Sequence, residues 1–240
     1  MQKQNKFIIA ATYAKDKILD EQGKVIIEQK GGPAYFIERI FRLENQRYDI
    51  ISTPEVTVEI LVTPDGEFGK ILQKPQSLDI TYQTLNSDAL LISTLLDEVV
   101  LRGFSQYKGK IFLDIQGYVR NGNDFGKKKK WLPSSEITKS IFCMKGTAEE
   151  VSMVPTDIVE LQKKNVLLIT KGSEGSELYA FDKRYVIKPT QKIDPKNTIG
   201  AGDTFFAYFT IAMIQTSNAL QSARSAAQKT SDFLVGKSND

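Results

Sequence analysis

Near its carboxyl end the chain carries the segment Asn197-Thr198-Ile199-Gly200-Ala201-Gly202-Asp203-Thr204-Phe205, and a strongly apolar stretch follows it. Two glycines that flank an alanine let the backbone turn sharply and approach a ligand closely. From Phe205 onward the apolar residues would lie on most faces of a helix, which is typical of a buried helix. The segment therefore predicts a tight turn that leads directly into a buried helix.

The predicted turn has the features of an anion-binding site that carries its own base. Free N–H groups at the start of a helix attract an anion, and the helix macrodipole helps them. Asp203 would lie beside that anion, where a carboxylate is unfavourable unless it has a task such as accepting a proton from an attacking hydroxyl. The same residues also suit a plain turn in which Asp203 caps the helix, and the segment alone leaves both interpretations open.

Two other kinds of phosphate-binding loop do not fit the sequence. The pattern Gly-x-x-x-x-Gly-Lys-[Ser/Thr] of P-loop enzymes does not occur in it. A dinucleotide-binding fingerprint needs a third glycine where Phe205 stands and an acidic residue about twenty positions further on. No Asp or Glu occurs between Asp203 and Asp232. A P-loop enzyme and a dinucleotide-dependent oxidoreductase are therefore both disfavoured.

The composition is that of an ordinary globular protein. The 240 residues are 41% apolar and 25% charged, which suits one α/β domain. The net charge of only +3 gives no reason to expect nucleic acid or an anionic membrane as a partner. The one charged block, the lysines at 127–130, we interpret as a solvated loop.

Residue types that are scarce or missing narrow the possible chemistry. The sequence has no histidine, which excludes Ser-His-Asp and Cys-His catalysis and any His-ligated metal site. Its single cysteine, Cys143, cannot form an internal disulfide. No apolar run is long enough for a signal segment or a membrane span. We therefore expect a cytoplasmic protein.

Short apolar runs alternate with helical stretches over most of the chain. This alternation predicts a parallel or mixed sheet with helices on both faces, in one domain over residues 1–240. Two further segments, 18–30 and 48–75, alternate apolar with polar residues and predict a small antiparallel sheet inserted around the first helix. The other predicted strands are 7–11, 89–93, 110–115, 140–144, 166–170 and 178–181. The predicted helices are 34–43, 98–103, 148–151, 156–163, 201–215 and 218–234.

The segment 197–205 resembles the C-terminal signature of the ribokinase-like family, also called PfkB carbohydrate kinases, which reads Asp-Thr-x-Gly-Ala-Gly-Asp-x-Phe. Only the first position differs, with Asn197 in place of Asp. The resemblance implies a three-layer α/β/α sandwich with a small β-sheet lid, and phosphorylation of an alcohol by ATP with Mg²⁺. It implies Asp203 as the general base and backbone amides as the anion hole. The implied catalytic residues are Gly200, Ala201, Gly202 and Asp203.

Other landmarks occur in the family's order and imply an acceptor site. Asp16 follows the first strand and resembles the acidic residue that binds substrate hydroxyls, and Gly31-Gly32 resembles the di-glycine that faces the substrate. Residues 113–120 look like the Asp-x-Gln-Gly-x-x-Arg stretch of some members, which adds Asp114 and Arg120. A surface ion pair is an equally good interpretation of those last two residues.

The implied donor site lies further along the chain. Residues 170–175 resemble the turn that borders the nucleotide, and the residues singled out there are Thr170, Gly172, Ser173 and Gly175. Residues 145–150 resemble the Lys-x-Asn-x-x-Glu motif that is linked to magnesium and phosphate. This match implies that Glu150 lies near Mg²⁺, although a solvated role for that side chain is left open.

Three positions depart from the family pattern. Phe36 stands where the di-glycine is normally followed by an asparagine, Thr147 replaces the motif asparagine, and Asn197 replaces an aspartate. The leading hypothesis is an ATP-dependent kinase of a small sugar, polyol or nucleoside. The alternative is a degenerate kinase-fold protein that binds a ligand with little catalysis. An exposed lid sheet would also offer a surface for a homodimer.

Overall fold

The computed structural model describes residues 5–63, 66–81, 85–189 and 198–238, so Asn197 lies outside the described residues. Its strands are β1 (Lys6–Ala11), β2 (Ala14–Leu19), β3 (Val25–Gly31), β4 (Arg47–Ile51), β5 (Val56–Thr63), β6 (Gly66–Ile71), β7 (Leu78–Asp79), β8 (Ala89–Ser93), β9 (Val99–Val100), β10 (Lys110–Asp114), β11 (Arg120–Asn121), β12 (Asp124–Lys128), β13 (Ile141–Thr147), β14 (Val166–Thr170), β15 (Ser176–Ala180) and β16 (Lys183–Ile187). Its helices are α1 (Gly32–Leu43), α2 (Gln116–Val119), α3 (Ser135–Ser140), α4 (Ala148–Ser152), α5 (Thr156–Lys164), α6 (Ala201–Thr216) and α7 (Ala219–Ser238).

An eight-stranded sheet in the order β16-β15-β14-β13-β10-β8-β1-β4 forms the centre of the fold. The six strands from β14 to β4 run parallel, and β15 and β16 add an antiparallel edge. Because both faces of a parallel sheet are covered, its strands are apolar throughout, as the fully buried β8 shows. This is the predicted mixed sheet of an α/β protein.

The alternation of side chains along β1 divides the interior into two cores. Phe7 and Ile9 face one core, which contains the apolar residues of α1, α6 and α7. Ile8 and Ala10 face the other core, where they meet residues of α2, α4 and α5. Since successive side chains of a strand point to opposite faces, the sheet lies between two helical layers. The predicted three-layer α/β/α sandwich is confirmed.

A separate four-stranded sheet, in the order β3-β2-β5-β6, lies beside the sandwich. Its inner face forms a third core with Phe36 of α1 and Ile199, which precedes α6. The pairing of β2 with β5 is parallel, so the prediction of a purely antiparallel sheet was wrong. Both strands enter this sheet from the same edge of the sandwich, where β2 follows β1 and β5 follows β4.

Two further expectations from the sequence are corrected. Residues 48–51, predicted as part of the small sheet, belong to β4 at the edge of the main sheet, because the chain crosses back through α1 to pair in parallel with β1. The predicted helix at 98–103 is not formed. The buried carboxylate of Glu98 instead accepts the backbone N–H groups of Leu95 and Leu96, which closes a non-helical turn.

Candidate active site

The glycine segment forms a left-handed turn at the start of α6. Gly200 precedes the helix with a φ of 81°, a conformation that residues with a side chain rarely adopt. A Cβ atom at Gly200 would also overlap the ring of Phe36, so the turn and α1 approach too closely for any other residue. Asp203 lies in the first turn of the helix, near its positive end. The sequence prediction for the turn and for the helix that follows agrees with these observations.

Side chains from three strands of the main sheet surround Asp203. Ser93, the last residue of β8, donates its hydroxyl hydrogen bond to Oδ1 of Asp203 at 2.9 Å. Asp114 ends β10 and Lys145 lies in β13, and these two form an ion pair with an Nζ–Oδ2 distance of 2.6 Å. All three strands end at the same edge because they are parallel, which is where open α/β sheets place their ligands.

The pKa of Asp203 reflects opposing effects of this environment. Burial raises the pKa to about 6, and the charge of Asp114 acts in the same direction. The charge of Lys145, the hydrogen bond from Ser93 and the more distant charge of Arg120 lower it. A carboxyl group with a pKa near neutrality is suited to accept a proton and release it again.

The ion pair between Lys145 and Asp114 is buried, with side chains that are 3% and 0% exposed. Although burial opposes the charged form of Lys145, the carboxylates of Asp114, Asp203 and Glu150 raise its pKa. A Cβ atom at Gly202 would lie 3.1 Å from Nζ, which places the ammonium group directly beneath the glycine turn. Asp114 was predicted to bind substrate, and in the structure its carboxylate is buried against Lys145.

Sequence reasoning did not single out Ser93 and Lys145 as site residues. One feature of the sequence could have identified Ser93 as a site residue. It is the only polar residue in the buried strand β8, and it stands at the carboxyl end of that strand. Lys145 opens the stretch that resembles the magnesium motif, in which only Glu150 was predicted as a site residue. Both residues become recognisable only when the order of the strands in the sheet is known.

A cleft of about 740 Å³ opens beside the glycine turn. Among the residues predicted to border the donor, Thr170, Gly172, Ser173 and Gly175 all line it. Of the turn itself, Ala201 and Gly202 contribute to the wall, and so does Glu150. Arg120, which was predicted with the acceptor residues, lines this same cavity. The structure thus brings the predicted donor residues to one continuous cavity. Its far end is closed by helix α7 through Ala227, Thr230, Ser231 and Leu234.

Glu150 has a structural contact besides its place in the cleft. Its carboxylate accepts the backbone N–H of Thr147 at 2.7 Å, and the hydroxyl of Thr147 accepts the N–H of Glu150 at 3.2 Å. This reciprocal capping box starts helix α4. Within the described part of the chain, no group of three or more acidic, cysteine or histidine side chains converges on a metal position. Mg²⁺ needs only one or two carboxylates when phosphate oxygens and water complete its shell, and Glu150 fits that requirement.

The predicted acceptor residues Asp16, Gly31 and Gly32 meet at the base of the small sheet. Asp16 is buried, and a Cβ atom at Gly31 would occupy the place of its carboxylate. Gly32 has a φ of 77° and lies against the backbone of Thr12 and Ala14. The pairing of β2 with β3 therefore brings these three residues together, as their order in the sequence suggested.

Phe36 fills the space between this group and the glycine turn. Its ring is 3% exposed and belongs to the same apolar cluster as Leu95, Phe125 and Ile199. An apolar ring therefore stands here in place of the asparagine of the family pattern, and it packs directly against Gly200.

The chain was compared with known families, proteins and structures. Residues 139–240 match the sequence model described as pfkB family carbohydrate kinase. No curated protein matches the chain in sequence. None of the described helices is both long enough and apolar enough to cross a membrane.

Solved structures are similar to this chain over nearly its whole length. A pyrophosphate-dependent kinase of the ribokinase family, in a sulfate complex, has 15% identity and a TM-score of 0.70, with 94% of each chain covered. The ribokinase of Arabidopsis thaliana, in complex with ribose and ATP, has 16% identity and a TM-score of 0.62, with 95% of this chain and 92% of the other covered. The nucleoside kinase of Methanocaldococcus jannaschii has 15% identity and a TM-score of 0.62, with 99% of each chain covered. The resemblance to the ribokinase-like PfkB family is thereby confirmed, in fold over at least 94% of the chain and in sequence over residues 139–240.

Proposed function

We propose that this protein transfers a phosphoryl group from ATP to a hydroxyl group of a small sugar, polyol or nucleoside. One observation carries the proposal: the half-buried residue Asp203, whose carboxyl group has a pKa of about 6, stands at the glycine-rich start of a buried helix, beside a cleft of about 740 Å³. A base with a pKa close to the working pH is the group that proton removal from an alcohol requires.

In the proposed reaction the acceptor oxygen forms a bond to the terminal phosphorus of the donor, while the bond from that phosphorus to the bridging oxygen breaks. The acceptor proton passes to Asp203, and the diphosphate leaves with the electron pair of the broken bond. Ser93 holds Asp203 in place through its 2.9 Å hydrogen bond. Phosphoryl transfer depends mainly on such positioning and on stabilisation of the transferred charge.

Charge on the transferred group would be stabilised from the glycine turn. The amides of Gly200, Ala201, Gly202 and Asp203 lie where α6 begins, so the first helical turn and the macrodipole of a 16-residue helix act on the anion together. The N–H of Ala201 already donates to the carbonyl oxygen of Thr198 at 3.0 Å, so this amide contributes through its dipole. Lys145 adds a full positive charge beneath the turn, and the buried Asp114 keeps that charge in place. A Mg²⁺ ion near Glu150, bound largely through donor oxygens and water, would supply further neutralisation of the phosphate charge.

The shape of the cleft supports a nucleotide as the donor. Thr170, Gly172, Ser173 and Gly175 form one wall, and the small and apolar side chains of α7 form the far end. A planar base fits such a surface, whereas pyrophosphate alone would leave it empty. Because one of the similar structures is a pyrophosphate-dependent kinase, pyrophosphate is the competing donor that a test has to include.

The acceptor would bind between the small sheet and the glycine turn. Asp16 offers a carboxylate to hydroxyl groups, and Gly31 and Gly32 allow a close approach of the backbone. Residues 14–31 and 56–71 of the small sheet would cover this space as a lid and exclude water, which limits loss of the phosphoryl group to hydrolysis.

A second candidate function is ligand binding with little catalysis. It is favoured by one observation, that the ring of Phe36 packs against Gly200 and occupies part of the acceptor side. In that case the cleft would still bind a nucleotide, but no alcohol would reach Asp203.

A donor-by-acceptor panel tests the proposal. Purified protein is incubated with Mg²⁺ and either ATP or pyrophosphate, together with ribose, hexoses, myo-inositol or nucleosides, and release of ADP or phosphate is followed. We expect acceptor-dependent ADP release that disappears in the Asp203→Asn variant. Tight nucleotide binding without turnover on any acceptor would instead support the second candidate.

A further inference from the structure

The short hairpin of β11 and β12 carries two cations on adjacent strands. Arg120 and Lys128 are direct cross-strand partners in this hairpin, and both line the cleft. Like charges directly opposite each other on two strands are destabilising. The lysine run 127–130 was interpreted from the sequence as a solvated loop, yet the side chain of Lys128 is only 15% exposed.

The contacts of Lys128 leave part of its hydrogen-bonding capacity unused. Its Nζ donates to the carbonyl oxygen of Phe125 at 2.7 Å, which engages one of three N–H groups. Its acidic neighbour Glu149 is 3.7 Å away, too far for a hydrogen bond, and the Glu149 side chain is 61% exposed. Such a contact contributes little, because solvent screens it.

Arg120 is held in a similar way. Its guanidinium group stacks over the ring of Phe125 at 4.3 Å and donates a long 3.4 Å hydrogen bond to the carbonyl oxygen of Leu95. Among the residues that the structure describes, no carboxylate lies within 4.0 Å of it as an ion-pair partner. In the amide orientation that satisfies both groups, the side-chain oxygen of Gln116 also accepts hydrogen bonds from Nη1 of Arg120 at 3.1 Å and from Nη2. The aromatic stacking and the Gln116 amide together fix the direction of the guanidinium group, and its remaining N–H donors stay available.

The neighbouring lysines of the same run show the contrast. Lys127 is 74% exposed and pairs with Asp124 at 3.5 Å, and Lys129 pairs with Asp97 at 2.9 Å. Neither of them lines the cleft. Lys128 therefore differs from its neighbours both in burial and in the cavity that it faces.

We propose that Arg120 and Lys128 together bind the polyphosphate chain of the phosphoryl donor, an inference that rests on the proposed kinase function. An anion bound between the two side chains would relieve their mutual repulsion and accept a charge-assisted hydrogen bond from each of them. Lys145 lines the same cleft on the side of the glycine turn. The ligand chemistry is that of a diphosphate group, either as free pyrophosphate or as the phosphate chain of a nucleotide.

The hairpin is also joined to the small sheet. The backbone N–H of Ile71 in β6 donates to the carbonyl oxygen of Gly122, in the turn of the hairpin, at 2.9 Å. The two cations are therefore anchored to the sheet that would cover the acceptor, and they stand at the boundary between the donor and acceptor sides.

The test measures binding by calorimetry with three probes: pyrophosphate, ATP and adenosine. Because Lys128→Met removes a charge-assisted hydrogen bond, it is expected to raise the Kd of the phosphate-bearing donor at least about tenfold. Adenosine binding, if present, should not change. Lys127→Met, a change of the neighbouring exposed lysine, is the matched control and should bind like the wild type, and Lys128→Arg should retain most of the affinity.

The outcomes separate this inference from the proposed function. A loss of affinity with ATP alone identifies a nucleotide's phosphate chain, and a loss with pyrophosphate identifies the free diphosphate as well. If Lys128→Met binds both anions as tightly as Lys127→Met does, or if the wild type binds neither anion, the inference is wrong. If the binding pattern appears but the wild type phosphorylates no acceptor, the proposed kinase function fails while the anion site stands.

Discussion

Replacement of Asp203 by asparagine should remove catalysis and, at the same time, stabilise the fold. The amide keeps the size of the side chain and can still accept the hydrogen bond from Ser93, but it cannot take a proton from an alcohol. Loss of a general base lowers turnover by about 10²–10⁴-fold. The expected kcat of Asp203→Asn is therefore at least about a hundredfold below that of the wild type.

The effect on stability follows from the pKa of Asp203. A shift from the ordinary value of 3.8 to about 6 corresponds to about 3 kcal/mol of unfavourable free energy for the charged form. Since the residue is partly exposed, solvent screening reduces the expected gain in Asp203→Asn to about 1–2 kcal/mol. The folded state binds the extra proton between pH 4 and 6, so the wild type loses this stability as pH rises through that window.

Urea unfolding of both proteins at pH 4.5 and pH 8 checks the sign. The difference in the free energy of unfolding should be small at the lower pH and should favour Asp203→Asn at the higher pH. An equal difference at both values would refute the assignment of a raised pKa to Asp203. Turnover within about tenfold of the wild type would refute its role as the base.

Three further predictions concern the same site. The kcat/KM of the wild type, which reports the free enzyme, should rise with pH and reach half of its maximum near pH 6, the pKa of Asp203. Gly200→Ala should cost at least about 1–2 kcal/mol in urea unfolding, because φ is 81° there and the new Cβ meets Phe36. In a Phe36→Ala background, whose own loss of packing is measured separately, the additional cost of Gly200→Ala should fall to the part due to φ. Lys145→Met should destabilise by about 3–5 kcal/mol, because Asp114 stays buried without its cation, and adding Asp114→Leu should recover much of that loss in the same assay.

The parts of the fold that sequence patterns predicted are those governed by local rules. The glycine turn and α6 could be predicted because each depends on residue type alone. A left-handed φ, as at Gly200, favours glycine, and a buried helix needs apolar residues on most of its faces. The small sheet was predicted less well. Residues 48–51 were predicted as part of the small sheet from their strand-like pattern. Their pairing with β1 depends on the path of the chain through α1, and no local pattern of residues specifies that path.

The helix expected at 98–103 shows how a single buried contact can override a local pattern. Glu98 is 4% exposed, and its carboxylate is held by the hydroxyl of Thr12 at 2.6 Å as well as by two backbone amides. Thr12 lies 86 positions earlier in the chain. Its hydrogen bond to Glu98 depends on the pairing of β1 with β8, so the turn depends on the sheet as well as on residues 98–103.

The candidate base could be found from the sequence, whereas its proton affinity could not. The position of Asp203 follows from the glycine turn, whose residues are contiguous. Its pKa depends on Ser93, Asp114 and Lys145, which reach it from three different strands and act in opposite directions. Removing Ser93 or Lys145 would raise the pKa further, whereas removing Asp114 would lower it. The pKa of Asp203 therefore depends on the order of the strands in the sheet. A short motif can locate the carboxylate without specifying how strongly it holds a proton.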